Sequence, residues 1–172
     1  VSDGKVLAKN LGSMTYVTSI IQSDILYMIG DSCAAYQLPD KVTNNKVELK
    51  EIWKDSMNDD IYASPVIHNG LIYALPANGK LVTFDVKNKT RTETATGLDE
   101  GAEEIHMYPS VVLAGKHLYL FNNKGKGAVF ELGVAPKLVG NPQLDEGSGS
   151  TPAVMGKRMF VRSGMNLLCI GE

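Results

Sequence analysis

The 172-residue chain is 44% hydrophobic and 21% charged, with a formal net charge of −2 at pH 7. This is the composition of an ordinary soluble globular domain, and the lack of a basic run argues against nucleic-acid binding. No apolar stretch approaches the ~20 residues of a transmembrane helix, so no transmembrane segment is expected. The chain begins at Val1 without a signal-peptide pattern, which leads us to expect a mature product or a piece of a longer chain.

The first predicted element is an outer strand over residues 1–12. Its first eight residues, Val-Ser-Asp-Gly-Lys-Val-Leu-Ala, align with residues 86–93, where the chain passes from a third to a fourth strand of a repeat. The chain is therefore expected to open on the outermost strand of a sheet.

Four segments that follow share one twelve-residue pattern. Each has Ser or Thr at the third place, then an apolar pair and a turn, and an aromatic residue at the twelfth place. The first place is Tyr in three segments and Gly in the fourth. The segments span residues 16–27, 62–73, 108–119 and 149–160, and their closing aromatics are spaced by 46, 46 and 41 residues. A fixed period of this length predicts one supersecondary unit per repeat.

Each copy predicts a hairpin followed by further strands. Asn69-Gly70 between apolar runs is a strong hairpin signal, because both central residues must adopt positive φ. A third strand is predicted at residues 34–38, 81–85, 128–132 and 167–170, and a more polar fourth strand at 47–53, 90–95 and 137–139. The polar fourth strand is typical of a sheet edge that faces water.

Short strands and tight turns at this period predict an all-β fold, a β-propeller of four-stranded antiparallel blades, with about four blades in this chain. We expect a single propeller segment over residues 1–172. Its outer strand lies at 1–12 and its blades lie at about 15–55, 61–98, 107–140 and 149–171.

The ends of the pattern leave two interpretations open. The opening strand could complete the last blade and close a four-bladed ring, or the chain could be part of a larger ring of seven or eight blades. The larger ring is favoured because four blades is the low end of the known range. Its exposed edges would then drive self-association or pairing with the missing part of the ring.

The repeat resembles the pyrroloquinoline-quinone-like (quinoprotein-type) β-propeller family. The resemblance is carried by residues 62–73 and 150–160, the closing Leu-Cys-Ile-Gly at 168–171 and the opening Asp-Gly-Lys-Val-Leu at 3–7. Trp53 alone resembles the family's docking tryptophan, and Ala8 stands at its place in the first copy, as in the family's non-catalytic members. The resemblance implies a ring around a central channel and a periplasmic or extracellular location.

The sequence lacks most of the motifs that a catalytic, cofactor-binding or metal-binding propeller requires. A quinone-dependent dehydrogenase needs calcium held by carboxylate and amide oxygens, an Asp base and commonly a vicinal disulfide. The chain has no adjacent cysteines, and its histidines, His68, His106 and His117, lack metal-ligand spacing. Catalytic, cofactor-binding and metal-binding residues are therefore not expected, and Cys33 and Cys169 are expected to be buried free thiols rather than a disulfide.

These observations favour a non-catalytic binding or scaffold module that presents loops to a protein or polysaccharide partner. The alternatives are a fragment of a quinone-dependent dehydrogenase and a purely architectural domain of a multidomain protein. Propellers serve both catalytic and non-catalytic proteins, so the fold does not choose between them.

The candidate partner-binding surface is acidic. The linkers that precede the inner strands carry paired acidic residues, Asp59, Asp60, Glu103, Glu104, Asp145 and Glu146. In a propeller these linkers emerge on one face, beside the turns between second and third strands, where they would attract a basic partner or a cation. Secondary candidates in those turns are Lys124, Lys126 and Arg162. The competing interpretation is that linkers are polar because they are solvated.

Overall fold

The computed structural model describes residues 4–42, 47–101 and 104–171, and in them fifteen β-strands form four separate antiparallel sheets. Blade 1 comprises β1 (Ile20–Gln22), β2 (Ile25–Ile29), β3 (Ser32–Gln37) and β4 (Lys50–Ser56). Blade 2 comprises β5 (Val66–His68), β6 (Leu71–Ala74), β7 (Leu81–Asp85) and β8 (Thr90–Thr94). Blade 3 comprises β9 (Val112–Ala114), β10 (His117–Phe121), β11 (Gly127–Glu131) and β12 (Lys137–Gly140). Blade 4 has three strands, β13 (Ala153–Met155), β14 (Arg158–Ser163) and β15 (Asn166–Gly171).

The hairpins form where the repeat predicts them. Asn69 and Gly70 both have positive φ, 49° and 76°, and the strands they join place Val66 opposite Tyr73. The closing aromatic of every copy occupies the same register, since Tyr27 pairs with Ile20, Tyr119 with Val112 and Phe160 with Ala153. The prediction of an all-β propeller of about four blades is thus confirmed, whereas a larger ring of seven or eight blades stays a prediction.

The hydrophobic core lies between successive blades. One face of blade 1 packs on blade 2 through a cluster that includes Tyr27, Ile29, Ile72 and Phe84. The other face of blade 2 packs on blade 3 through Tyr73, Leu75, Leu81, Leu118, Leu120, Ala128 and Phe130. A smaller cluster, Phe121, Leu144 and Val161, joins blades 3 and 4. Since each inner blade is covered on both faces, its central strands are apolar along their length.

The outer strand predicted for residues 1–12 is not formed by residues 4–12, which contain no assigned strand. Residues 1–3 lie outside the described residues. The segment instead runs beside blade 1, where the Val47 N–H donates to the Leu7 carbonyl at 3.3 Å. Asn10 and Gly12 have φ of 60° and 141°, and such left-handed residues interrupt an extended strand. The fourth strand of blade 1 begins at Lys50, which pairs with Gln37 at the end of β3, and not at Val47 as predicted.

Both cysteines are free thiols, but only one of them is buried. Cys33 lies between blades 1 and 2, and burial raises the pKa of its thiol to about 11. Cys169 lies on β15 and is exposed, so the expectation of two buried thiols is wrong for this residue. The reason is that in the described chain β15 is the last strand of its sheet and nothing covers it. No helix that could cross a membrane occurs in residues 4–42, 47–101 and 104–171.

Candidate functional site

The hydroxyls at the third place of the repeat connect the inner ends of the blades. The Thr18 N–H donates to Ser64 Oγ at 3.1 Å, and the Ser64 N–H donates to Ser110 Oγ at 3.1 Å. The Ser110 N–H donates in turn to Thr151 Oγ1 at 2.9 Å. Each bond joins equivalent residues of neighbouring blades, so this hydroxyl relay fixes the spacing of the inner strands and of the residues just before them.

Two residues before each hydroxyl of the first three blades stands a tyrosine, and these rings form a row. The ring centroids of Tyr16 and Tyr62 lie 5.1 Å apart, and those of Tyr62 and Tyr108 lie 5.5 Å apart. The row borders an open depression of about 450 Å³, and Tyr16 remains 66% exposed. In blade 4 the equivalent residue is Gly149, where a β-carbon would lie 3.6 Å from Tyr108, so the row ends against that glycine.

His106 supports the end of the row at Tyr108. The two rings are stacked, with centroids 4.9 Å apart and planes inclined by 25°. Asn123, in the turn after β10, holds the backbone of His106 from both sides, because its Oδ1 accepts the His106 N–H at 2.8 Å and its own N–H donates to the His106 carbonyl at 2.9 Å. This turn therefore fixes the position of Tyr108 through His106.

Asp59 and Asp60 lie next to the row but have different environments. Asp59 Oδ2 accepts the Asn78 N–H at 2.8 Å, so this carboxylate anchors the linker to the turn before β7. Asp60 Oδ2 accepts the hydroxyl of Tyr62 at 3.4 Å. Through its charge, the Asp60 carboxylate raises the pKa of Tyr62 above the usual value for tyrosine, because ionised phenol would face an anion. Of these two carboxylates, Asp60 is thus the one that bonds to the tyrosine row.

The substitution Asp60→Asn is expected to lower the pKa of Tyr62, because it removes the anion that opposes ionisation of the phenol. Phenolate absorbance measured against pH in the variant and the unmodified protein would show the shift. Burial raises the pKa of Tyr27 and of Tyr73, but equally in the variant and in the unmodified protein, so these two residues cancel when one titration curve is subtracted from the other. Asp145→Asn, on another linker, should leave the difference spectrum flat. Identical titrations for Asp60→Asn and the unmodified protein would contradict the assignment.

Two of the other predicted acidic residues, Glu104 and Glu146, are held by hydrogen bonds of their backbones. The Glu104 carbonyl accepts Asn123 Nδ2–H at 3.0 Å. The Glu146 N–H donates to Ser163 Oγ at 3.0 Å, and the same hydroxyl donates back to the Glu146 carbonyl at 2.9 Å. The side chains of Glu104, Asp145 and Glu146 are exposed. Glu103 lies outside the described residues.

Of the three basic candidates, Lys124 and Lys126 lie in the turn between β10 and β11, whereas Arg162 lies on β14 opposite Leu167 and not in a turn. Lys126 Nζ approaches Glu100 Oε2 at 4.0 Å and donates to the Glu100 carbonyl at 3.3 Å. Arg162 Nε donates to the Gly164 carbonyl at 2.7 Å, in the turn that follows. The Lys124 backbone N–H donates to Asn122 Oδ1 at 2.9 Å and its side chain is exposed. Lys126 therefore also holds the linker at Glu100, and Arg162 holds the turn that follows β14.

The tyrosine row was not recognised as a site from the sequence. Its signal was present, because Tyr16, Tyr62 and Tyr108 occupy the first place of three repeats at a spacing of 46 residues. That the rings touch depends on the angle between blades, which no local pattern reports. Within the described residues, no three His, Cys, Asp or Glu side chains are grouped in a way that could hold a metal ion.

The chain matches no protein-family model and no curated protein. Among solved structures it is similar to the computationally designed Ika4 protein, with a TM-score of 0.62, 7% identity and coverage of 96% of this chain and 95% of that one. The N-terminal domain of Nup159 gives a TM-score of 0.58 at 11% identity, covering 90% of this chain and 44% of that one. A europium-containing methanol dehydrogenase gives 0.50 at 10% identity, covering 73% of this chain and 24% of that one.

These identities show the propeller fold alone, and the resemblance to the quinoprotein-type family stays a prediction. The chain spans nearly all of the designed protein, but less than half of the Nup159 domain and about a quarter of the dehydrogenase. Propellers of this shape thus include an enzyme and other proteins, so function must be argued from the site.

Proposed function

We propose that this chain is a non-catalytic propeller module that binds a protein partner through its tyrosine face. The tyrosine face is defined as Tyr16, Tyr62 and Tyr108 with the carboxylates of Asp60 and Glu104. The observation that carries the proposal is the row of three rings, in which Tyr62 contacts both Tyr16 and Tyr108, along an open depression. Tyrosine is enriched in protein interfaces because it offers a large apolar ring and a polar hydroxyl at little cost in side-chain entropy.

The chemistry of the face favours a partner segment rich in arginine or lysine. Aromatic rings attract a cation over their faces by about 0.5–2 kcal/mol. Asp60 lies within hydrogen-bonding distance of the Tyr62 hydroxyl, and Glu104 is exposed two residues before His106, which stacks on Tyr108. A guanidinium group can stack on a ring and bond to a carboxylate at the same time, which makes arginine the better fit.

The face is held in place before any partner arrives. The relay joins Thr18, Ser64 and Ser110, each two residues after a ring of the row. The linker of Asp59 is bonded to the turn of blade 2, and that of His106 to the turn of blade 3. A surface anchored at so many points loses little conformational entropy on binding, which favours affinity.

The test is the binding of a fluorescent oligoarginine peptide to the chain at low salt. Tyr62→Ala, which removes the middle ring, is expected to weaken binding about tenfold, close to 1.4 kcal/mol. Added salt is expected to weaken binding further, since the Debye length is only about 8 Å at 0.15 M. Leu138→Ala, on the outer strand β12 and 40% exposed, is the matched control and should bind as the unmodified protein does.

Three outcomes would count against this function. Equal affinity of Tyr62→Ala and the unmodified protein would remove the tyrosine row from the site. Binding of a neutral oligosaccharide, but not of oligoarginine, would assign the face to a polysaccharide instead. A thermal stabilisation on adding pyrroloquinoline quinone with Ca²⁺ would favour the dehydrogenase alternative, because a ligand that binds only the folded state raises the melting temperature. A periplasmic or extracellular location, implied by the sequence resemblance, is part of the same proposal.

A further inference from the structure

The two ends of the row of blades carry complementary hydrogen-bonding groups. At each of the three internal boundaries, the amide of one blade donates to the third-place hydroxyl of the next. At the last blade, the Thr151 N–H has no acceptor among the residues that the structure describes. At the first blade, Thr18 Oγ1 accepts a hydrogen bond from the Ser64 hydroxyl at 3.5 Å but none from the amide of another described residue. The relay therefore ends with a donor on one side and an acceptor on the other.

Blade 4 presents an uncovered face that carries several apolar side chains and two arginines, Arg158 and Arg162. Ala153, Phe160 and Cys169 are opposite one another in the sheet, and Met155 and Leu167 lie two residues further along on the same side. Leu167 is 72% and Met155 65% exposed. In blade 1 the residues equivalent to Phe160, Leu167 and Cys169 are Tyr27, Cys33 and Ala35, and all three are buried against blade 2. Arg158 and Arg162 stand where blade 1 has Ile25 and Ile29, but the other positions match those of a packed blade, and the neighbour that would pack on them is not among the described residues.

Blade 4 also lacks the fourth strand that blades 1, 2 and 3 possess, so the outer edge of β15 is unpaired in the described chain. Unpaired edges of apolar strands are sites for strand addition. The open edge and the open face belong to the same blade, and a single neighbour could cover both.

Residues 4–14 lie on blade 1 where the fourth strand of a preceding blade would lie. The Tyr36 hydroxyl donates to the Leu11 carbonyl at 2.8 Å, and the Ser13 N–H donates to Ser32 Oγ at 3.3 Å. In blade 2 the residue equivalent to Tyr36 is Phe84, which packs edge-on against Trp53 of the fourth strand of blade 1. Blade 1 therefore carries a segment placed like an extra fourth strand, and blade 4 lacks one.

We propose that two copies of this chain join head to tail into a closed ring of eight blades. The open face of blade 4 in one copy docks on blade 1 of the other, and residues 4–9 of that other copy complete the sheet beside β15. The Thr151 N–H then meets Thr18 Oγ1 across each junction, as equivalent groups meet at every internal boundary. Ile21, 65% exposed on β1, is covered at the same contact. Two identical junctions related by a two-fold axis close the ring, and eight blades fall within the known range.

The first test is the mass in solution, by sedimentation equilibrium or light scattering. The unmodified chain is expected at twice the 18.6 kDa mass of one chain. Leu167→Arg is expected at the mass of one chain, because it places a second positive charge beside Arg162 in the junction. Met165→Arg, in the turn of the same hairpin and 90% exposed, is the control and should keep the doubled mass. Circular dichroism checks that Leu167→Arg remains folded, since its side chain is already largely exposed in a single copy.

The second test locates the junction by disulfide trapping. In the alignment of residues 1–8 with 86–93, Leu7 corresponds to Thr92, which pairs with Thr83. Thr83 corresponds in turn to Cys169, because Tyr73 pairs with Thr83 as Phe160 pairs with Cys169. Leu7→Cys is therefore expected to form an intermolecular disulfide with Cys169 under mild oxidation. The same variant with Cys169→Ser should not cross-link, and Cys33 cannot replace it because it is buried.

A single-chain mass for the unmodified protein would overturn the proposal, and so would an unchanged mass for Leu167→Arg. A disulfide formed within one chain would show that the four blades close on themselves, and a series of larger masses would show an open array. Either of these results also rejects the eight-bladed ring. None of these outcomes affects the peptide-binding experiment, so the eight-bladed ring and the binding function of the tyrosine face are tested independently.

Discussion

Replacing Phe84 by alanine is expected to lower the free energy of unfolding by about 3–5 kcal/mol, the usual cost of removing a fully buried aromatic side chain. Phe84 is 1% exposed on β7, and its ring meets Trp53 of blade 1 edge-on at 5.1 Å. The substitution leaves a cavity at the boundary between blades 1 and 2 and also removes the aromatic pair. Since domains are stable by only about 5–15 kcal/mol, the variant should unfold at a much lower urea concentration.

Urea denaturation followed by circular dichroism would measure this loss. Leu138→Ala, an apolar truncation at an exposed position, is expected to change stability by less than about 0.5 kcal/mol. A double-mutant cycle of Phe84→Leu with Trp53→Leu should give a coupling of about 0.5–1.5 kcal/mol for the ring pair. A loss below about 1 kcal/mol for Phe84→Ala would mean that blades 1 and 2 are not packed through these rings.

The hairpins and the blade pattern could be predicted from sequence because their determinants are local. Asn-Gly between two apolar runs strongly favours a turn with positive φ at both residues, as Asn69 and Gly70 show, and this turn sets the register that places Tyr73 opposite Val66. The same local rule failed for residues 4–12. These residues align with a strand, but no described residue provides a sheet edge that accepts them as a strand, and they follow the surface of blade 1 instead.

The hydroxyl relay shows why the contacts between blades could not be predicted. The sequence shows Ser64 and Ser110 at the same place of two repeats, but not that the amide of one donates to the hydroxyl of the other. That bond depends on how far neighbouring sheets are rotated, which follows from the packing of Phe84, Leu118 and similar side chains between them. Tyr62 and Tyr108 come into contact for the same reason.

The acidic residues illustrate a further limit of sequence patterns. Asp59 and Asp60 are adjacent and chemically identical, but the structure uses them differently. Asp59 accepts a backbone amide of the next blade, whereas Asp60 is directed to the hydroxyl of Tyr62. Composition identifies an acidic linker, and only the three-dimensional contacts separate a carboxylate that anchors the loop from one that is available to a partner.

Asn122→Ala is expected to destabilise the chain by roughly 3 kcal/mol or more, because each buried polar group left unpaired costs about 1–3 kcal/mol. Asn122 is 1% exposed in the turn after β10. Its Oδ1 accepts the N–H groups of Lys124 and Lys126 at 2.9 and 3.0 Å, and its Nδ2 donates to the Leu98 carbonyl at 2.8 Å. One side chain thus closes the turn of blade 3 and fastens the linker from blade 2. Asn141→Ala, an exposed asparagine in the next linker, should be nearly neutral.

The variant Asn122→Asp separates these two roles. Its carboxylate can still accept the amides of Lys124 and Lys126, but it donates nothing to the Leu98 carbonyl while it is ionised. The two accepted N–H bonds lower the pKa of such a carboxyl group, whereas burial and the facing Leu98 carbonyl raise it, and we expect the second pair of effects to dominate, so that the folded state binds a proton more readily than the unfolded state. The stability deficit of Asn122→Asp relative to the unmodified protein should therefore shrink as the pH falls, because the protonated acid can donate to Leu98 as the amide did. A deficit independent of pH in urea titrations would show that the bond to Leu98 contributes little and that the turn alone accounts for the loss in Asn122→Ala.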